Sequence, residues 1–290
     1  MVRHLALLFA LALIWGSSFM AIKIGVETIP PMTLAAGRVV FATLLLWGFA
    51  GIQGLALPRG GRIWFYCFLI GIIGNGLPFT LINWGEEKID SGLAAILMAV
   101  MPLATVVMAH FFTAGDRMTQ AKLLGVACGF GGVVILVGPE ALKGLGGDFW
   151  RQLATAGGAI CYAIAAILTR NMPAAPLIAR SAAVMIAASV MMVPLSLIFD
   201  APWTLAPSTE ALLAGAYLGL FPTAVATIIL FHLLKSRGAS FIAPVNYLIP
   251  VFGVLWGIVA LGEEVSPRAV LALSVILVGM AVAQYQRRPR

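Results

Sequence analysis

Ten apolar runs with short punctuated connections leave this chain few ways to fold. They fall near residues 5–23, 33–51, 64–82, 92–113, 120–138, 152–170, 177–199, 210–231, 239–261 and 268–285. Each is close to the roughly 20 residues a helix needs to cross about 30 Å of hydrocarbon. They run on continuously, without the alternation expected of barrel strands. Only 10% of the 290 residues are charged, against roughly 25% in a soluble domain, so the chain lacks a wet surface for a globule. The reading is an all-α polytopic membrane protein with ten transmembrane helices. Pro30-Pro31, Pro58 to Gly61, Gly138-Pro139, Pro173 with Pro176, and Pro202 with Pro207 punctuate the connections.

Net charge is +7, with the basic residues scattered over loops in no patch. That pattern fits a positive-inside bias and gives no reason to expect nucleic acid. With the N-terminus in the cytoplasm, twelve of the 18 Lys and Arg fall on cytoplasmic segments, which predicts both termini inside. The N-terminal run continues through Trp15, Phe19 and Met20 with no clear small-x-small cleavage point, so it reads as a retained first helix. Cys67, Cys128 and Cys161 stand singly inside apolar runs. They predict neither a disulfide framework nor a metal site.

The stretch "IVALGEEVSPRAVLALSVILVGMAV" at 258–282 echoes "FFTAGDRMTQAKLLGVACGFGGVVI" at 111–135. Gly115 pairs with Gly262, Asp116 with Glu263 and Gly132 with Gly279, all 147 residues apart. The same shift relates Trp15 to Tyr162, Gly16 to Ala163, Lys23 to Arg170 and Lys88 to Lys235, while Pro102 and Pro250 stand 148 apart. The chain therefore divides into a first five-helix repeat over 1–147 and a second over 148–290. Five crossings leave the chain on the opposite side, so the second repeat should lie inverted. The hinge at 115–119 is expected inside and that at 262–267 outside. Inverted repeats of this kind characterise secondary transporters with a midplane site.

The motifs "LIWGSSF", "AAGRVVFATLLL", "MPLATVV", "IPVFGVLWG" and "LGEEVSP", in this order, resemble the drug/metabolite transporter superfamily. Within it the chain looks like the EamA-type branch and its bacterial amino-acid exporters. The resemblance covers essentially the whole chain. It implies a ten-helix 5+5 transporter of the bacterial inner membrane, with helices 1, 3, 4, 6, 8 and 9 around a cavity and 5 and 10 outside. Distantly similar multidrug exporters carry a glutamate on the first helix, where this chain has Trp15, Gly16, Ser17 and Ser18.

All 11 acidic residues fall in loops or at helix ends, so no carboxylate is expected near the bilayer centre, where proton relays and cation sites place one. Arg38 is the cation that a phosphorylated substrate would need, and it also fits a structural arginine bonding helix-end carbonyls or snorkelling. Lys23, Arg170, Lys88 and Lys235 read as helix-end anchors, and His110 and His232 as hydrogen-bonded interface residues. Neutral groups at depth remain as cavity candidates: Trp15, Ser17 and Ser18 on helix 1; Asn75, Pro78 and Asn83 on helix 3; Tyr162 on helix 6. Thr223 and Thr227, four apart on one face, join them from helix 8, and Asn246 and Tyr247 from helix 9.

Buried Asn serves equally as helix–helix glue, and the aromatics equally as packing. Pro78, Pro102, Pro222 and Pro250 free carbonyls that could meet an ammonium group. Such a site suits a small neutral or zwitterionic solute, and the resemblance makes amino acids the expected substrate. The expectation is export by alternating access. No ATP-binding motif, cofactor, metal or obligatory protein partner is indicated; the partners are the small-molecule substrate and the lipid bilayer. Efflux of neutral toxic compounds is the alternative. An intramembrane enzyme would need a catalytic set at depth, and the sequence has no HExxH, Asp pair or Ser/His combination on neighbouring spans. "GIIGNG" at 71–76 and "GFGG" at 129–132 read as close helix packing.

Overall fold

The computed structural model describes residues 2–112, 118–137 and 148–284. All regular structure among them is helical: α1 Val2–Gly25, α2 Pro31–Ile52, α3 Gly61–Glu86, α4 Ser91–Phe112, α5 Gln120–Val137, α6 Phe149–Asn171, α7 Leu177–Phe199, α8 Thr209–Arg237, α9 Val245–Leu261 and α10 Pro267–Gln284, plus short turns. Seven of these, α1 to α4 and α6 to α8, are long and apolar enough to cross a membrane, while α5, α9 and α10 are shorter apolar helices. The ninth run was expected from residue 239. A separate turn, Ala239–Ile242, precedes α9 instead, because Pro244 disfavours helical backbone at the residue before it. The hinge at 115–119, with Gly115 and Asp116, lies largely outside the described residues.

The prolines leave visible marks. Pro102 has no N–H for the Met98 carbonyl, and the Met101 N–H takes that carbonyl instead at 3.0 Å. In α3, Ile72–Gly76 is a π-helix just ahead of Pro78, and in α8 the π-helix Gly219–Val225 contains Pro222. Their starts are separated by the same 147 residues as the sequence repeat. Pro222 cannot donate to the Leu218 carbonyl; the i→i+5 pattern of the π-helix passes that carbonyl to Thr223, whose hydroxyl also donates to it at 2.9 Å. In lipid an unsatisfied carbonyl costs several kcal/mol, so irregular backbone is kept bonded within the protein.

The helices pair in a pattern that survives exchange of the two halves. α2 packs on α7, and α5 on α10. The pairs α1–α9, α1–α8 and α2–α8 have counterparts in α6–α4, α6–α3 and α7–α3. Small residues permit the closest approaches: a methyl added at Gly279 of α10 would lie 2.6 Å from the Gly129 nitrogen and 2.7 Å from the Gly125 carbonyl oxygen of α5. The glycines of "GIIGNG" likewise press against α6 and α7 at Ala165, Ala188 and Met192. Large apolar side chains such as Trp47, Phe65, Ile198 and Val259 point outward. That surface matches hydrocarbon.

Polar ties lace one end of the bundle. Lys23 Nζ donates to the carbonyls of Glu86 and Ile89 at 2.9 and 2.8 Å. The Glu263 carboxylate, after α9, accepts the first N–H groups of α4 from Ser91 and Gly92 at 2.7 and 2.9 Å. Arg151 stacks on Trp84 and pairs with Glu87, and Asp200 accepts the Thr33 N–H and hydroxyl at 2.8 Å. At the opposite end α1 is joined to α8 through His4 with Arg237 and His232.

Two stability tests follow from these contacts. Gly279→Leu should destabilise the purified protein by about 2 kcal/mol or more through overpacking, while Gly131→Ala, into open space, should stay within about 0.5 kcal/mol; thermal unfolding in detergent reads both. Glu263→Ala removes a charged acceptor from two helix-terminal N–H groups and should cost about 2 kcal/mol. The exposed neighbour Glu264→Ala should change little. Equal effects of the two glutamate substitutions would contradict the capping role.

Candidate functional site

The site is built where the two π-helices interrupt α3 and α8. The Trp15 indole N–H of α1 donates to the Pro222 carbonyl at 3.0 Å, one residue before Thr223. Two residues further along α1, Ser17 Oγ shares a 2.6 Å hydrogen bond with the Tyr217 hydroxyl and also donates to its own Ile14 carbonyl. Thr223 accepts a 2.8 Å hydrogen bond from Arg38 Nε of α2. The Arg38 guanidinium carbon lies 3.8 Å from the centre of the Phe79 ring of α3. Phe79 in turn meets Tyr162 of α6 edge to face, with ring centres 6.4 Å apart. One chain of contacts thus crosses five helices and joins the repeat-mates Trp15 and Tyr162.

Local sequence explains why these groups meet. Gly219 lets α2 approach α8: a methyl there would fall 2.8 Å from Phe41 Cβ and 3.1 Å from the Arg38 carbonyl oxygen. That approach corrects the reading of Arg38. It neither bonds helix-end carbonyls nor snorkels; it is 7% exposed, enclosed between α2, α3 and α8. A buried cation needs partners that replace water, and here one hydroxyl and one aromatic face supply part of that.

The other candidates divide. Ser18 is buried and bonded back to the Trp15 carbonyl of its own helix. Asn75 donates to the Ile70 carbonyl at 3.3 Å within the α3 break, and Thr227 to the Thr223 carbonyl. Asn75 and Thr227, with Thr80 on Gly76 and Trp15 on Pro222, thus engage carbonyls in and beside the two broken segments. Asn83 ties α3 to the start of α2 through a 2.9 Å bond to the Pro31 carbonyl, and its Oδ1 is buried without a partner. Pro78 is buried against Gly158. Asn246 and Tyr247 are half-buried, with no side-chain hydrogen bond to the described residues, and Tyr247 packs on the core around α1 and α4.

His110 accepts the Met118 N–H at 3.0 Å, and His232 stacks on His4; both stay at one end, away from this chain of contacts. Phe79, Tyr217 and Glu86 escaped the sequence reading. Glu86 ends α3, as a helix-end carboxylate should, yet it is 0% exposed and both oxygens lack hydrogen-bond partners. It lies seven residues beyond Phe79, on the same face of α3 as Asn83. Among the described residues, no group of three or more His, Cys, Asp or Glu forms a metal cluster.

Comparison with known proteins fits this architecture. The model of the EamA-like transporter family matches residues 3–138 and again 150–284. The chain is 31% identical over 274 residues to the inner membrane transporter YedA of Escherichia coli (strain K12), spanning 93% of this chain and 87% of that one. It is 26% identical over 272 residues to a probable terminal-alkyne amino-acid exporter of Streptantibioticus cattleyicolor, spanning 92% and 88%. A solved crystal structure aligns with a TM-score of 0.70 at 20% identity, over 98% of this chain and 96% of that one, a likeness of fold alone. Matched over nearly its whole length, the chain belongs to the EamA-like transporter family and is a multi-pass membrane transporter.

Proposed function

We propose that this protein exports small neutral or zwitterionic metabolites, amino acids foremost, by alternating access around the site between α1, α2, α3, α6 and α8. The observation that carries the reading is the contact chain from Ser17 and Trp15 through Thr223 and Arg38 to Phe79 and Tyr162. It brings neutral polar groups, aromatic faces and one cation from both halves to the two helix breaks, the arrangement that transporters use for a substrate site.

Residues 1–147 and 148–290 form two inverted five-helix repeats in this reading, with ten crossings and both termini cytoplasmic. The exchange-related helix pairs and the π-helices 147 residues apart support it, as does the double family match. The laced end, at Lys23, Glu86 and Glu263, is then the closed outer gate, and substrate enters from the opposite side. Amino acids are favoured by one relative's name as a probable amino-acid exporter. Cavity roles for Trp15, Ser17, Tyr162 and Thr223 belong to the same proposal. Asn75, Pro78 and Thr227 shape the helix breaks around it, Ser18 supports Trp15 on α1, and Asn83, Asn246 and Tyr247 border it.

Reconstituted liposomes loaded with unlabelled amino acids test the reading. Counterflow of at least one radiolabelled neutral amino acid is expected. Trp15→Ala should lower it about tenfold, the loss of a hydrogen bond and a large aromatic contact, with insertion and folding intact. Absence of flux for every amino acid, alongside flux of neutral toxic compounds, would replace amino-acid export with broad efflux.

A further inference from the structure

We propose that Arg38 is the carboxylate-binding residue of the transport site, recognising one planar carboxylate of the substrate. The inference rests on the transport reading above and names the chemistry that the site selects.

A structural arginine buried in lipid is normally saturated, because each empty N–H in a dry interior is costly. Arg38 is not saturated. Its Nε is used by Thr223 Oγ1 at 2.8 Å and its face by Phe79, yet Nη1 and Nη2 have no hydrogen-bond acceptor among the described residues. The Nε contact and the ring hold the guanidinium in place from two sides. Tyr162, packed on the same Phe79 ring, likewise has a hydroxyl without a hydrogen-bond partner among the described residues. Two sets of free donors therefore share one aromatic wall, and they call for an acceptor.

No protein carboxylate fills that role. Glu86, the buried acid further along α3, makes no hydrogen bond with either oxygen. The second cation in this region, Lys23, is committed to the carbonyls of Glu86 and Ile89. One unspent guanidinium edge matches a single carboxylate in bidentate geometry. A phosphoryl group, carrying about two charges, would ask for a second free cation.

The test uses the intact protein in lipid nanodiscs and measures equilibrium binding of four acid–amide pairs: L-leucine, L-threonine, L-phenylalanine and 3-phenylpropionate, each against its amide. The wild type should prefer at least one acid about tenfold over its amide. Arg38→Met should reduce that preference to within about twofold, chiefly by weakening the acid. Arg38→Lys and Thr223→Val, which keep a cation but lose the fork or its anchor, should fall between. If Arg38→Met does not fold, those two variants decide by the same ratio.

The inference is overturned if no probe binds, if the wild type binds acid and amide alike, or if folded variants keep the full preference. Counterflow of amino acids with an Arg38-independent preference would remove this role and leave the transport reading standing. Acid selectivity that requires Arg38, without amino-acid flux, would do the reverse.

Discussion

One hydroxyl couples the backbone of this protein to its site. Thr223 Oγ1 donates to the Leu218 carbonyl, at the start of the π-helix that carries Pro222, and accepts from Arg38 Nε. The first bond pins the hydroxyl to the backbone of the π-helix. The second holds a cation that would otherwise be buried without a polar partner. Because both pass through one atom, the π-helix in α8 and the orientation of Arg38 are set together. Trp15 adds a third tie, closing the Pro222 carbonyl from α1. The break in α8 is thus tied to α1 and α2 by the same groups that make up the contact chain.

Small residues set the distances at which these bonds can form. Gly219 brings α2 onto α8, Gly16 brings α1 onto Phe252 of α9, and Gly279 brings α10 onto α5. Lipid supplies no hydrophobic drive for helix association, so such close packing has to supply the attraction. The interfaces obey exchange of the halves, while the chemistry does not: Arg38 on α2 corresponds by the 147-residue shift to Met185 on α7. A duplicated scaffold with one unique cation gives a site that is symmetric in frame and polar in content. Glu263 differs in another way. It spends its carboxylate on the first N–H groups of α4, and so ties the connection after α9 to the end of α3 and α1 where Lys23 is bound.

Much of this was legible in the sequence. Apolar length located the helices, and prolines within runs located the irregular segments, because both follow from the local rules of a chain in lipid. Residue type was legible as well, so Trp15, Tyr162 and Thr223, which one chain of contacts joins, could be named together with Ser17. Azimuth was not. A run that is apolar on every side carries no periodic signal for which face meets a neighbour, and Ser18 and Thr227 prove to bond within their own helices. Phe79 and Tyr217 look like ordinary lipid-compatible residues until α2 and α1 are placed beside them. Arg38 was visible as a cation but was set near the interface, because nothing in its own run announces that Gly219, 181 positions later, draws α2 inward. Glu86 shows the same limit: helix-end position does not reveal whether an end is wet or sealed.

The proposed transport cycle depends most on two halves of opposite orientation meeting at this site. With Cys67, Cys128 and Cys161 replaced, single cysteines at Asp116 and Glu264 can be labelled in intact cells by a membrane-impermeant thiol reagent. Labelling of position 264 from outside, and of position 116 only after the membrane is permeabilised, is the predicted result. Labelling of both from the same side would contradict the inverted arrangement and with it the shared site.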